Sequence, residues 1–186
     1  MSQKRAVLCT ALLVVALGGL PASLPGTPTS QARAAGDGWA EVKWPFPLDQ
    51  WGTGRAFECN RDACGAKVQL YVRPKLGFCN CATGVSDDAE LDRVSDLELF
   101  SETFEGLADG RPIKVGTMNG RSRAYEAAVP YEGKRTVLAI AFNDRCDVVV
   151  ATAVADPPQL GLTEQAALDL LNGSKVLRWI ERELGL

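Results

Sequence analysis

The sequence predicts an α+β fold: an antiparallel sheet, laid out as a meander, packed with helices into a sandwich-like, disulfide-stapled body. Three observations carry that expectation. Apolar and polar residues alternate with period two in residues 67–73 and around residues 113–125, and two further strand-like runs, Thr136–Phe142 and Cys146–Val154, read as a hairpin. Two stretches near the C-terminus, beginning at Thr163 and Ser174, carry apolar stripes at helical spacing. Cysteines crowd one window, which holds Cys59, Cys64, Cys79 and Cys81, and Cys146 lies far downstream where it can fold back onto them.

The chain opens with the basic run Met1-Ser2-Gln3-Lys4-Arg5, continues with an apolar stretch from Ala6 to about Leu20, and breaks at Pro21. That stretch is too short to span a bilayer and has the flanks of a secretory signal peptide. Ala32-Arg33-Ala34 offers small residues at the two positions a signal peptidase reads. We therefore read residues 1–34 as a signal peptide and residues 35–186 as a single exported α+β domain. No arginine pair precedes the apolar run, so the general secretory route is expected rather than the twin-arginine route. Cys9 sits inside the apolar run behind Leu8, which is too large for a lipidation signal, and leaves with the leader. After cleavage no stretch is long enough for a membrane span, and the expected location is periplasmic or secreted.

A mature chain of this size suits one domain that buries roughly two thirds of its unfolded surface. The leader removes three of the 20 basic residues and none of the 23 acidic ones, leaving 17 against 23, a charge of −6. Such an acidic excess argues against a nucleic-acid partner, which needs a concentrated basic face. Histidine is absent, and with it the commonest metal ligand and the commonest general base at neutral pH. No Gly-x-Ser-x-Gly, phosphate loop or zinc signature occurs, so no catalytic residue and no cofactor is assigned.

Taken in order, residues 39–46 alternate tryptophan and valine with polar or small residues and suit a half-buried strand, ended by Pro45 and Pro47. Residues 49–54 form a turn, and a strand resumes from Arg55 to Cys59. Residues 67–73 read as a strand with one covered face, stopped by Pro74. A helix follows, capped by Ser86 or Asp87, with Leu91, Val94, Leu97 and Phe100 as its apolar stripe. Asn119-Gly120 specifies a two-residue hairpin turn. That register places Lys114, Arg121, Arg123 and Tyr125 on one face and Ile113, Val115 and Ala124 on the other, toward the core. A second hairpin is expected to turn through three residues, Asn143-Asp144-Arg145, because that aligns Leu138, Ile140 and Phe142 with Cys146, Val148 and Val150 on one side. Pro157 and Pro158 close the sheet; Thr163 caps a helix that ends at Asn172-Gly173, and Ser174 begins another with Val176, Leu177, Ile180 and Leu184 inward.

This order of strands, a helix, a four-strand meander and terminal helices resembles the PsbP-type fold of exported accessory proteins. The resemblance covers most of residues 35–186, rests on element order without a shared motif, and implies a fold rather than a function.

Five cysteines remain after the leader is removed, and in an oxidising compartment they should mostly pair, leaving one thiol over. The spacing favours Cys59 with Cys64 across a turn at Asn60-Arg61-Asp62. Either Cys79 or Cys81 then joins Cys146, since residues two apart around one neighbour cannot both reach it. The alternative is that Cys79 and Cys81 act as a thiol pair in redox exchange or Cu(I) handling, because thiolates select soft metals. Lys114, Arg121, Arg123 and Tyr125, joined by Arg73 and Lys75, are candidates to grip a small anionic ligand, although the wet face of a sheet carries the same residues. Trp44-Pro45-Phe46-Pro47 with Trp51 reads as a lid over the core rim, or as an apolar recognition groove. The expected role is a non-catalytic binding or accessory protein of the bacterial envelope, with an unknown protein or small anion as partner.

Overall fold

The computed structural model describes residues 38–129 and 133–186; the expected leader, residues 1–34, lies outside them. In chain order they form β1 Trp39–Val42, β2 Arg55–Cys59, the one-turn helix α1 Arg61–Cys64, β3 Lys67–Lys75 and α2 Asp88–Val94. A 3-10 turn, Leu97–Leu99, leads to β4 Phe104–Gly106, β5 Arg111–Val115, β6 Met118–Val129, β7 Gly133–Asp144 and β8 Asp147–Asp156, and then to α3 Leu160–Asn172 and α4 Ser174–Glu183. The eight strands make one antiparallel sheet in the order β1-β2-β3-β8-β7-β6-β4, with β5 lying beside β4 along β6. The predicted α+β class holds, as does the four-strand meander, β5 to β8.

Both faces of the sheet are covered. On one, Leu70, Leu138, Ile140, Phe142 and Val149 pack against Leu171, Val176 and Ile180 of the terminal helices. On the other, Val137, Ala139, Ala141, Val148 and Val150 pack against Leu91, Val94 and Leu97. Strands β7 and β8 are accordingly buried on nearly every residue of their inner halves. Glu164, buried in α3, clamps that helix to the sheet by accepting hydrogen bonds from Arg111 on β5 and from the Ser122 hydroxyl on β6.

Two-sided burial corrects the second hairpin. Asp144 pairs with Asp147, so the loop is the two residues Arg145 and Cys146, and Phe142, Ile140 and Leu138 face Val149, Ala151 and Ala153. The three-residue expectation assumed one apolar face. With an apolar layer on each side, alternation no longer chooses the register, and the turn does. Arg145 takes it at φ 50°.

The first hairpin also turns elsewhere. Val115 pairs with Met118, leaving Gly116-Thr117 as the loop, with Gly116 at φ 56° in the first central position of the type II′ pattern. Asn119 and Gly120 lie inside β6, where Gly120 is buried and a Cβ on it would run into the Ala141 carbonyl and the Phe142 side chain. The glycine serves close strand approach. The register moved by an even number of residues, so Lys114 still shares a face with Arg121, Arg123 and Tyr125.

Three boundaries differ as well. β1 ends at Val42 and is largely exposed, because it is the sheet's edge. β3 runs through Pro74, which is tolerated because pairing with β2 stops at Val72 and Pro74 has β8 on one side alone. α3 starts at Leu160, and Thr163 sits in its first turn with its hydroxyl donating to the Gln159 carbonyl.

Because Asn119 is an exposed strand residue and Gly120 a packed one, Asn119→Thr should leave the urea midpoint nearly unchanged. Gly120→Ala should lower stability by about 1–3 kcal/mol. Equal losses from the two substitutions would restore the turn reading.

Candidate functional site

The face of the sheet under α2 holds nearly all the residues singled out for chemistry. Register places Arg121, Arg123 and Tyr125 of β6 in line with Ala141, Ala139 and Val137 of β7, then Val150, Thr152 and Val154 of β8, then Arg73, Tyr71 and Gln69 of β3. Arg73 and Lys75 thus share a face with the β6 cations, as expected. That face is not wet, which corrects the solvated reading. α2 and the 3-10 turn cover it, and Arg73, Lys75 and Tyr125 are each 2% exposed or less.

Carboxylates of the covering segment meet those cations. Asp88 and Asp92, one helical turn apart on α2, face β6 residues two apart on a strand, and the two spacings match at about 6 Å. Asp88 accepts from Arg121 and from the Gly110 N–H at 3.0 Å, with Arg123 3.7 Å away. Asp92 accepts from the Tyr125 hydroxyl and lies 3.4 Å from Arg123. Arg121 and Arg123 also donate to the carbonyls of Gly110 and Ala108, each at 2.8 Å. Burial first, and then the bond to Asp92, hold the Tyr125 phenol well above its ordinary range, so it stays a donor. Lys114, paired across strands with Asn119, is exposed and lies apart from this network.

A second network secures β3. Asp96, 4% exposed, binds Arg73 with two parallel bonds of 2.6 and 2.8 Å and Lys75 at 2.7 Å. Asp49 takes the remaining Arg73 nitrogen at 2.8 and 2.7 Å, and Lys75 donates to the Val94 carbonyl at 2.7 Å. Phe78 and Trp51 sit against the Lys75 ammonium, 5.2 and 5.8 Å from their centroids, and Trp44 lies 5.9 Å from the Arg73 guanidinium. Two cations are matched by two carboxylates. Asp49, Asp92 and Asp96 were not among the residues the sequence singled out; for Asp92 and Asp96 the available signal was their four-residue spacing after Asp88, whereas Asp49, in the loop before β2, carried none.

The cysteines divide as the spacing suggested. Cys59–Cys64 joins the end of β2 to the end of α1, whose Asn60 caps the turn by accepting from the Ala63 N–H at 3.0 Å. Cys81–Cys146 ties the loop after β3 to the β7–β8 turn. Among the described residues Cys79 is the free thiol; it is buried, donating to the Arg145 carbonyl at 3.2 Å while its N–H bonds the Cys146 carbonyl at 3.1 Å. Burial pushes this thiol up, and Glu90 and Asp147 add to the rise. Cys79 and Cys81 therefore do not form a thiol pair. The loop that carries them is irregular rather than a strand.

The aromatic segment does leave a concavity. Trp44 and Phe46 depart from β1 and cluster with Tyr71 and Phe100. Phe46, Tyr71 and Phe100 wall a pocket of about 290 Å3 whose floor is Val137 and Val154 and whose rim carries Arg135.

No protein family model matches the chain, and no curated protein matches it. Among solved structures it is similar to the solution structure of cyanobacterial PsbP (CyanoP) from Synechocystis sp. PCC 6803, at 14% identity and a TM-score of 0.39, over 74% of this chain and 81% of that one. An overlap this loose carries no argument about function.

Hydrogen bonds from Gly110 and then Arg121 hold the Asp88 carboxyl below its ordinary 3.8. Arg73 and the Trp51 N–H do the same for Asp49 against the opposing effect of burial. Carboxyls depressed in the folded state stabilise it above their unfolded pKa and lose that contribution as pH falls through the folded value. The melting temperature should fall steeply from about pH 4 to about pH 2, and Asp88→Asn should flatten that fall; an unchanged acid limb in the variant would count against the Asp88 contacts.

The disulfides should also differ in weight. They close loops with sequence separations of 5 and 65, which chain entropy values at about 2 and about 4 kcal/mol. Urea unfolding should show Cys81→Ser/Cys146→Ser losing about twice what Cys59→Ser/Cys64→Ser loses.

Proposed function

We propose that the chain is an exported, non-catalytic binding domain of the bacterial envelope, with residues 1–34 removed and residues 35–186 retained. The observation that carries the reading is the aromatic-walled pocket on the face of the sheet that α2 and the 3-10 turn cover. Arg73, Lys75, Arg121, Arg123 and Tyr125 each have carboxylate partners, so their role is to fix the covering segment over the sheet. That arrangement draws the anion-binding expectation away from them. Two disulfides support an oxidising compartment.

A thiol redox or copper role draws no support from this arrangement. Cys81 is bonded to Cys146, and the remaining thiol is buried and protonated.

The test is a thermal-shift survey of the mature protein against small organic acids, amines and neutral ring compounds, run beside turnover assays on ester, phosphate and peptidoglycan substrates. Binding at a hundredfold over Kd adds about 2.7 kcal/mol, or about 5–10 °C for a domain of this size. A shift of that order without turnover is expected. Turnover of any of these substrates would overturn the reading.

A further inference from the structure

We infer that the outward face of α4 is a docking surface for a bilayer rich in anionic phospholipid, held through Lys175, Arg178 and Arg182. The inference is independent of the aromatic pocket and of what that pocket takes.

Helical spacing gathers the three cations. At about 100° per residue they fall within about 60° of one another, nearly opposite Val176, Ile180 and Leu184, which are buried in the core. All three are exposed. The acids Glu181 and Glu183 fall about 90° or more to either side of the stripe's centre. Among the described residues none of the three cationic side chains has an ion pair, hydrogen bond or ring partner.

The physics of the helix itself does not account for this arrangement. Lys175 and Arg178 are three residues apart and Arg178 and Arg182 four, so like charges adjoin on one face, which costs helix stability. Lys175 stands in the first turn, where the dipole disfavours a cation, whereas Arg182, in the last turn, is favourably placed. α2 shows the ordinary alternative, with Arg93 answered by Glu90 three residues earlier. A stripe set against local preference and left without a counter-charge in the fold points to an anion supplied from outside it.

The face suits a diffuse anion better than a shaped one. Leu177 and Trp179 pack against the core, and Arg55, itself paired with Glu41, sits 5.0 Å from the Trp179 ring centroid, so α4 is fastened on its flank as well as beneath. No exposed large apolar side chain lies within α4, and a protein partner would find no apolar anchor at the centre of the face. Three long cationic side chains along about 10 Å of helix match a fluid array of headgroups that needs no fixed complement. That span is close to the Debye length of about 8 Å at physiological salt, so the three act together on one patch of surface. The acids of α2 lie on the far side of the sheet, beyond that length, and the acidic excess of the chain does not cancel the attraction.

The experiment is co-sedimentation of the mature protein with sucrose-loaded vesicles, either phosphatidylcholine alone or phosphatidylcholine mixed equally with phosphatidylglycerol. At neutral pH and about 0.1 M salt the wild type should partition onto the anionic vesicles and not the neutral ones, and about 1 M salt should release it. Arg178→Gln/Arg182→Gln should lower partitioning about thirtyfold, about fivefold for each cation. Lys175→Glu removes two units of charge and should lower it as much, with a melting temperature unchanged or raised, because it puts an acid in the first turn. Lys114→Gln, at an exposed site on the other face of the sheet, should change nothing. Equal partitioning onto both vesicles, an undiminished double variant, an equal loss in Lys114→Gln or a lower melting temperature in Lys175→Glu overturns the inference. If the wild type ignores the anionic vesicles but is retained on immobilised polyglutamate through the same residues, the stripe serves an acidic protein and the bilayer is ruled out. Retention on neither makes it a solvated helix face. Each of these outcomes leaves the reading of the pocket where it stands.

Discussion

Two cations two residues apart on one strand cannot be buried without a counter-charge, because removing them from water costs several kcal/mol each unless they are paired and hydrogen-bonded. β3 places Arg73 and Lys75 in that position, and Asp96 answers both. The carboxylate reaches them because α2 ends at Val94 and the chain bends at Ser95, lowering the 3-10 turn onto the sheet. From that contact follow the seating of Leu91, Val94 and Leu97, the position of Phe100, and with it one wall of the pocket. Asp49 extends the same logic to the loop before β2, so the Arg73 guanidinium fastens two separate crossings of one sheet face.

How much of this was legible can be judged residue by residue. The strands of the meander, the cap at Asp87, the end of α3 at Asn172 and the stripe of α4 all came from local patterns that tertiary packing had no reason to override. The two hairpins were misread for opposite reasons. At Asn119-Gly120 a strong turn pair lies in a strand, since the absence of a side chain at Gly120 serves packing against β7 instead of a turn. At the β7–β8 turn the alternation argument had nothing to act on, since Val148, Val149 and Val150 are all buried. A central strand covered on two faces hides its own register.

The site was legible as composition and illegible as arrangement. Arg73, Lys75, Arg121, Arg123 and Tyr125 on alternate positions look the same from sequence whether water or a helix lies over them. What decides between the two is a set of acids on a distant segment, and the spacing of Asp88, Asp92 and Asp96 at four-residue intervals has an equally good local explanation as a helix start and a polar helix face. The cysteine pairing was more accessible, because chain length limits which thiols can meet. The pocket was less accessible than either, since it is made by two segments from different parts of the chain closing over Val137 and Val154.

The outer edge of β6 is shared by two short strands, β4 and β5, and between them the chain steps away at residues 107–110, where Arg121 and Arg123 take up the carbonyls of Gly110 and Ala108. β5 also contains Pro112, which has no N–H to offer a neighbour. At the opposite edge β1 is four residues long and carries the Glu41–Arg55 ion pair. Among the described residues neither border presents an unbroken ladder of free backbone groups. The sheet is thereby poorly suited as a template for stacking against copies of itself or for capturing an extended peptide.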